Sequence, residues 1–220
     1  MLDIAGVEVW ITETMVVTWI IMAVLILLAV LVRVKLKNFS QVPKGFQNVV
    51  EALIDAIDNF VKDTAGEKLQ GLSNWFFMVI IFMFSSIVAG MVGLRPPNAD
   101  WTMTFALALA TMIIIQIMGV KYRKGEYLKG FLQPFFLFLP LNIIGEISRP
   151  ISLSFRLFGN MFAGMIIMAL AYNLMPIWAR FGLPAALHAY FDLIAGAIQM
   201  YIFVTLSLSF IAGATSSPDE

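Results

Sequence analysis

Residues 149–164 read RPISLSFRLFGNMFAG, and they put Arg156 in the middle of a segment otherwise fit for lipid. An arginine at the centre of a membrane helix costs about 2.5–3.5 kcal/mol on insertion scales, so such a charge is retained for a function by default. Helical spacing of i, i+3 and i+4 brings Ser152, Arg156, Gly159, Asn160 and Ala163 onto one side. That face is small and polar, so it admits another helix at close range and leaves the guanidinium uncovered. The competing reading is an arginine paired permanently with a carboxylate, Glu146 being one candidate.

Around this stretch, 60% of the 220 residues are hydrophobic and 13% are charged, with a mean hydropathy of +0.89. Several apolar runs are long enough for the roughly 20 residues that cross a bilayer, which makes the chain a polytopic membrane protein. The absence of cysteine excludes disulfides, thiolate metal sites and cysteine nucleophiles. A single histidine, His188, excludes a multi-histidine metal site within the chain, and neither metal nor cofactor is expected. Basic and acidic residues balance at 14 each, so nothing global points to nucleic acid.

The distribution of charge gives a topology. Residues 1–14 carry Asp3, Glu8 and Glu13 and no lysine or arginine, unlike the basic start of a signal peptide, so they are expected to stay in the mature chain. A first span over 15–34, with Trp19 as interfacial anchor, ends in Arg33, Lys35 and Lys37; the positive-inside rule puts that end in the cytoplasm and the N-terminus outside. Residues 46–62, FQNVVEALIDAIDNFVK, have a 3.6-residue apolar period. They are expected to lie on the cytoplasmic membrane surface or against partner helices, with Glu51, Asp55 and Asp58 outward as a solvated face rather than a metal site. A second span over 75–94 leads to the turn RPPNAD, read as a short exposed loop, and a third over 101–120 returns to the basic turn KYRKGEYLKG.

Residues 131–178 as one straight helix would measure about 72 Å, against a hydrocarbon core of about 30 Å. Pro134, Pro140 and Pro150 are expected to break the first half, leaving an arginine-bearing helix from about Ile151 to Met175, with Pro176 and Gly182 in the next turn. The last segment, 184–214, would measure about 46 Å and must tilt. The expected fold is thus a single all-α membrane domain of five crossings plus one amphipathic interfacial helix, its last two helices long and tilted and its C-terminus cytoplasmic. In the final helix Asp192, Ala195, Gly196 and Gln199 share a face, with His188 one turn earlier. Polar groups at that depth need partners or water, so the face lines a cavity or meets the arginine; interhelical hydrogen bonding is the alternative, about as good for Gln199.

With RPISLSFRLFGNMFAG as it stands, the amphipathic helix, GLRPPNADWTMTFALAL, GVKYRKG, PLNIIGEISRPISL and a closing helix with IQMYIFVTLSLSF, the chain resembles subunit a of the membrane sector of the bacterial F-type ATP synthases. The resemblance covers nearly all of the chain. It implies a stator in the bacterial inner membrane, lying against a rotating c-ring whose carboxylates it serves through two offset half-channels, with subunit b and the rest of the ATP synthase as further partners. By motif, Arg156 matches the family's essential arginine, Asn160 its neighbour one turn on, and Gln199 the polar residue of the last helix. Ser152, Gly159, Ala163, Ala195 and Gly196 would be the small residues facing the ring. Met165 stands where several members carry an ionisable group, and Asp192 where others have histidine or glutamate. Asp192, with His188, is therefore expected to supply the outer acid and Met165 no proton role. Glu146 is a weaker candidate for the cytoplasmic half-channel, a local partnership with Arg149 being as good a reading. The carried ion, H⁺ or Na⁺, would be set largely by the ring.

No GxxxxGK[ST] loop is present, so no nucleotide chemistry is expected of the chain alone. A secondary transporter binding an anionic substrate at Arg156 is the nearest alternative. It would call for internal repeats, and no second RLFGN-like half occurs. A purely structural scaffold would make Arg156 replaceable at modest cost.

Overall fold

The computed structural model describes residues 2–4, 7–9, 12–35, 45–132, 135–174 and 183–216. Two short strands, β1 (Leu2–Ile4) and β2 (Val7–Val9), pair antiparallel with Asp3 opposite Glu8. Helices make up nearly everything else: α1 (Glu13–Lys35), α2 (Phe46–Ala65), α3 (Ser73–Met91), α4 (Trp101–Arg123), α5 (Gly125–Gly130), α6 (Leu139–Leu174), α7 (Leu183–His188) and α8 (Gly196–Thr215). Five helical stretches among the described residues are long and apolar enough to cross a membrane. The fold is that of an all-α polytopic membrane protein.

Hydrogen bonds between elements align the spans. The hydroxyl of Thr14, at the start of α1, donates to Asp100 Oδ2 at 3.1 Å, and Asp100 caps α4 by accepting from the Thr102 amide at 3.0 Å. Residues 95–100, Glu13 and the end of α3 therefore share one end of the bundle. At the other end, Tyr122 donates to the Lys68 carbonyl at 2.7 Å, and α1 and α4 both finish in basic residues, Arg33 and Lys35 on one and Lys121, Arg123 and Lys124 on the other. We call this the basic end.

The core runs through α3, α4, α6 and α8, where Phe76, Met83, Leu157, Phe203, Leu208 and Ile211 are almost fully buried. Small hydroxyl residues let these helices approach closely, and they satisfy themselves on their own helices: Ser207 donates to the Phe203 carbonyl at 2.7 Å and Thr111 to the Leu107 carbonyl at 3.0 Å. α1 is peripheral, burying only Thr14, Val17, Thr18 and Ile21, while residues 22–32 are apolar all round and largely exposed, as suits a helix face in lipid. α2 lays Ile57 and Val61 into the core against α3 and α8 and leaves Val49 and Leu53 outside. Asp55 on its other face is exposed.

Three expectations are corrected. Pro150 does not break the chain; it lies inside α6, a continuous helix of 36 residues. Losing its N–H costs one ladder bond to the Glu146 carbonyl, but the neighbouring turns and packing on α4 and α8 hold the helix. Pro140 is the second residue of α6, where the missing N–H would be unpaired in any case. Pro134 and the turn with Pro176 and Gly182 lie outside the described residues. At about 54 Å, α6 exceeds the hydrocarbon thickness and must tilt or project. Secondly, the RPPNAD turn is not an exposed loop: Pro97, Asn98 and Ala99 form a buried 3₁₀ turn, with the Asn98 amide donating to Ser86 Oγ at 3.3 Å. Thirdly, the last helix is not uniform. Ala189–Ala195 is π-helical between α7 and α8, so its ladder runs i to i+5 and its faces rotate relative to an α-helix.

Candidate functional site

Along α6, Ser152, Arg156, Gly159 and Ala163 are exposed while Leu153, Leu157, Met161 and Gly164 are buried. The four-residue spacing of a helix thus turns one stripe into the bundle and the small, cationic stripe away from it. Among the described residues nothing pairs with Arg156; Glu146, its candidate partner, binds Arg149 at 2.5 Å instead. The reason is position: Glu146 and Arg149 are one turn apart, whereas Arg156 lies about 15 Å further along the axis. Asn160 is half-buried and donates through Nδ2 to the Ala195 carbonyl at 3.2 Å, where the π segment gives way to α8. It therefore ties the arginine helix to the last helix at the level of Gln199, whose Nε2 is buried with no partner among the described residues.

Two polar cavities approach Arg156 from opposite ends. At the basic end, a cavity of about 460 Å³ is lined by Arg123, Tyr127, Asn142, Glu146 and Arg149 with Ser209 of α8. Within it Glu146 accepts from Gln116 Nε2 at 3.0 Å, and the Arg149 guanidinium stacks 5.0 Å over the Phe210 ring. Burial, and next the nearby Glu146 carboxylate, push the Tyr127 phenol above its usual range, so it stays protonated. At the other end, a cavity of about 440 Å³ is lined by Glu13, Arg95, Met161, Met165, His188 and Asp192. There His188 Nδ1 and Asp192 Oδ2 meet at 2.6 Å. Neither cavity reaches the arginine. The nearest α6 residues that line them are Arg149 and Met161, about 10 Å and about 8 Å along the axis from Arg156.

The structure thus brings His188 and Asp192 together, sets Met165 as an apolar wall beside them, and keeps Glu146 with Arg149. One expectation fails: Gly196 does not share the exposed small-residue face. It is buried, and a Cβ there would meet Ile87 at 3.0 Å and Met161 at 3.3 Å, so the glycine serves close packing of α8 on α3 and α6. Ala195 is half-buried beside it. Sequence reasoning missed Glu13 and Arg95 as cavity groups and Gln116 and Tyr127 as partners of Glu146. Nothing in their own surroundings marks them, because their neighbours come from other helices.

Among the described residues, five apolar spans and a mid-helix arginine without a partner, with a cavity entering from either end, define a polytopic membrane protein. More narrowly, the chain belongs to the ATP synthase A chain family, whose model matches residues 15–212. It is similar to the sodium-ion-specific ATP synthase subunit a of Propionigenium modestum, at 33% identity over 93% of this chain and 74% of that one. A subunit a of Syntrophotalea carbinolica is 34% identical over 90% of this chain and 83% of its own length. One of Picosynechococcus is 33% identical over 96% and 88%. Membership makes the chain a component of the membrane sector of the F-type ATP synthase complex.

Proposed function

We propose that this chain is the stator half of a rotary ion pathway, in which the two cavities are offset half-channels and Arg156 is the charge that separates them. The exposed stripe of Ser152, Arg156, Gly159 and Ala163 faces a c-ring, and small side chains there let the ring's outer helices pass close to the guanidinium. A fixed cation favours the ionised form of an approaching carboxylate, so a ring site gives up its ion before passing Arg156 and takes one up after. A proton near the guanidinium is repelled, which blocks direct leakage between the half-channels. Arginine suits this role because a guanidinium keeps its charge when desolvated. Asp192, hydrogen-bonded to His188, passes ions between the far cavity and the ring; Glu146 borders the path at the basic end. Asn160 holds the arginine helix against the last helix at the level of exchange, and Gln199, whose Nε2 has no partner among the described residues, lies one turn further along the last helix.

The basic end faces the cytoplasm by the positive-inside rule, which puts the N-terminus outside and the C-terminus inside a bacterial inner membrane. Subunit b and the remaining ATP synthase subunits are the other partners, and ATP chemistry resides on them. The observation that carries this reading is the pair of polar cavities that open toward opposite ends and stop on either side of Arg156, which has no partner among the described residues. An anion transporter would need one cavity containing the arginine.

The chain has no cysteine, so single cysteines report on it directly. In membranes containing the whole complex, Met165→Cys should react with a membrane-impermeant thiol reagent from the outer side only, and Ser209→Cys from the cytoplasmic side only. Reaction of both from the same side, or of neither, would overturn the two-half-channel reading.

A further inference from the structure

Glu146 is held by a chain of side chains that reaches across three helices. The Tyr127 hydroxyl on α5 donates to Gln116 Oε1 at 2.9 Å, Gln116 Nε2 on α4 donates to Glu146 Oε2 at 3.0 Å, and the other Glu146 oxygen takes Arg149 at 2.5 Å. Each link fixes the next. A carboxylate oxygen pointing at an amide calls for its NH₂ side, and a tyrosine donating to the amide oxygen holds the amide in that sense. Tyr127 is itself pinned: it is 7% exposed, its ring stands edge-on to Phe131 at 5.3 Å, and it lies so close over Gly119 that a Cβ there would fall 2.6 Å from the ring. Only glycine at 119 leaves room for it. The turn Lys124–Gly125, with Lys124 at a φ of 50°, sends α5 back along α4 and brings the ring to this spot.

We propose that Tyr127 and Gln116 are positioning residues for Glu146, fixing its carboxylate in the wall of the basic-end cavity and thereby setting the rate at which ions pass between that cavity and the ring. The proposal rests on the reading of this cavity as part of the ion path. Neither residue touches the ion. Tyr127 acts through Gln116, and Gln116 through Glu146, so Tyr127→Phe and Gln116→Leu should both change transport through Glu146, Gln116→Leu by removing the direct bond and Tyr127→Phe by removing the bond behind it, with the aromatic ring left on Gly119.

The test uses inverted membrane vesicles that carry the whole complex, in which the bath faces the basic end. Tyr127→Phe and Gln116→Leu should each lower the initial rate of ATP-driven acidification about two- to tenfold, as the net worth of one hydrogen bond allows. Co-purification with the ring should be unchanged, and the profile of rate against bath pH should shift. Adding either change to Glu146→Gln should lower the rate no further. Normal rates with an unshifted profile in both single variants would overturn the proposal. So would an equal fractional loss in the Glu146→Gln background, which would mean that the pair acts on something other than Glu146. If Glu146→Gln itself pumps normally while Arg156→Ala does not, the assignment of the cavity to the path fails, and the strut with it. Should Tyr127→Phe fail to assemble, Gln116→Leu alone decides the question, because it removes the bond to Glu146 itself and leaves the Tyr127 side chain intact.

Discussion

Replacing Arg156 by alanine separates a charge that acts on a partner from one that holds the fold. The side chain is exposed, has no partner among the described residues and is no part of the core. Its removal therefore breaks no hydrogen bond or ion pair among the described residues, and it relieves the about 2.5–3.5 kcal/mol that a central arginine costs in a membrane, so the fold should not be destabilised. The loss falls on the approaching ring carboxylate. Two unit charges about 4 Å apart attract by about 4 kcal/mol at an effective dielectric constant of about 20. At about 1.4 kcal/mol per decade, that is about a thousandfold on any step that needs the carboxylate ionised beside the stator. Arg156→Lys keeps the charge but loses the planar fork, so it should fall between wild type and alanine. The assay is ATP-driven acidification of inverted vesicles, after confirming that the altered chain co-purifies with the ring. Pumping should vanish while assembly persists. Pumping at a normal rate would refute the mechanism, and loss of assembly would show that the arginine is structural.

Asp192→Asn removes the acid of the far cavity and leaves a side chain of the same shape, so ion transport should slow without loss of the complex; unchanged pumping rates would remove Asp192 from the path. Phe203 is fully buried among α3, α4 and α8, and Phe203→Ala should cost about 3–5 kcal/mol, read as a lower thermal midpoint of the purified complex, with an unchanged midpoint contradicting its place in the core. Gly119→Ala drives a methyl into the Tyr127 ring at 2.6–2.9 Å and should destabilise by about 1–3 kcal/mol through overpacking; combining it with Tyr127→Ala should add nothing beyond Tyr127→Ala alone, and an additive loss would place the strain elsewhere.

The spans were legible because bilayer thickness fixes their length and lipid fixes their composition, both of which are local properties. The same locality explains the errors. Pro150 reads as a break because an isolated helix cannot spare an N–H, yet α6 runs through it, held by α4 and α8. The RPPNAD turn reads as exposed because prolines and an aspartate favour surface turns, yet four helices, α1, α3, α4 and α6, pack on it, and α3 gives it Ser86 as a partner. Gly196 reads as part of an exposed small face because local spacing shows which residues share a face and not what that face meets; Gly196 and Gln199 do share one, and it is turned into the bundle, with Gly196 against Ile87 and Met161.

The sequence by itself determined the membrane class, the five spans, the amphipathic helix and the stripe that carries Arg156, since each depends on residues within a few helical turns of one another. Tertiary structure alone decided which distant residues meet. Glu13 of the first helix shares a cavity with Asp192 of the last helical segment, Tyr127 and Gln116 converge on Glu146, and Arg156, between two cavities, has no partner among the described residues. Those meetings depend on the register and rotation of whole helices against each other, which packing sets and no local period encodes.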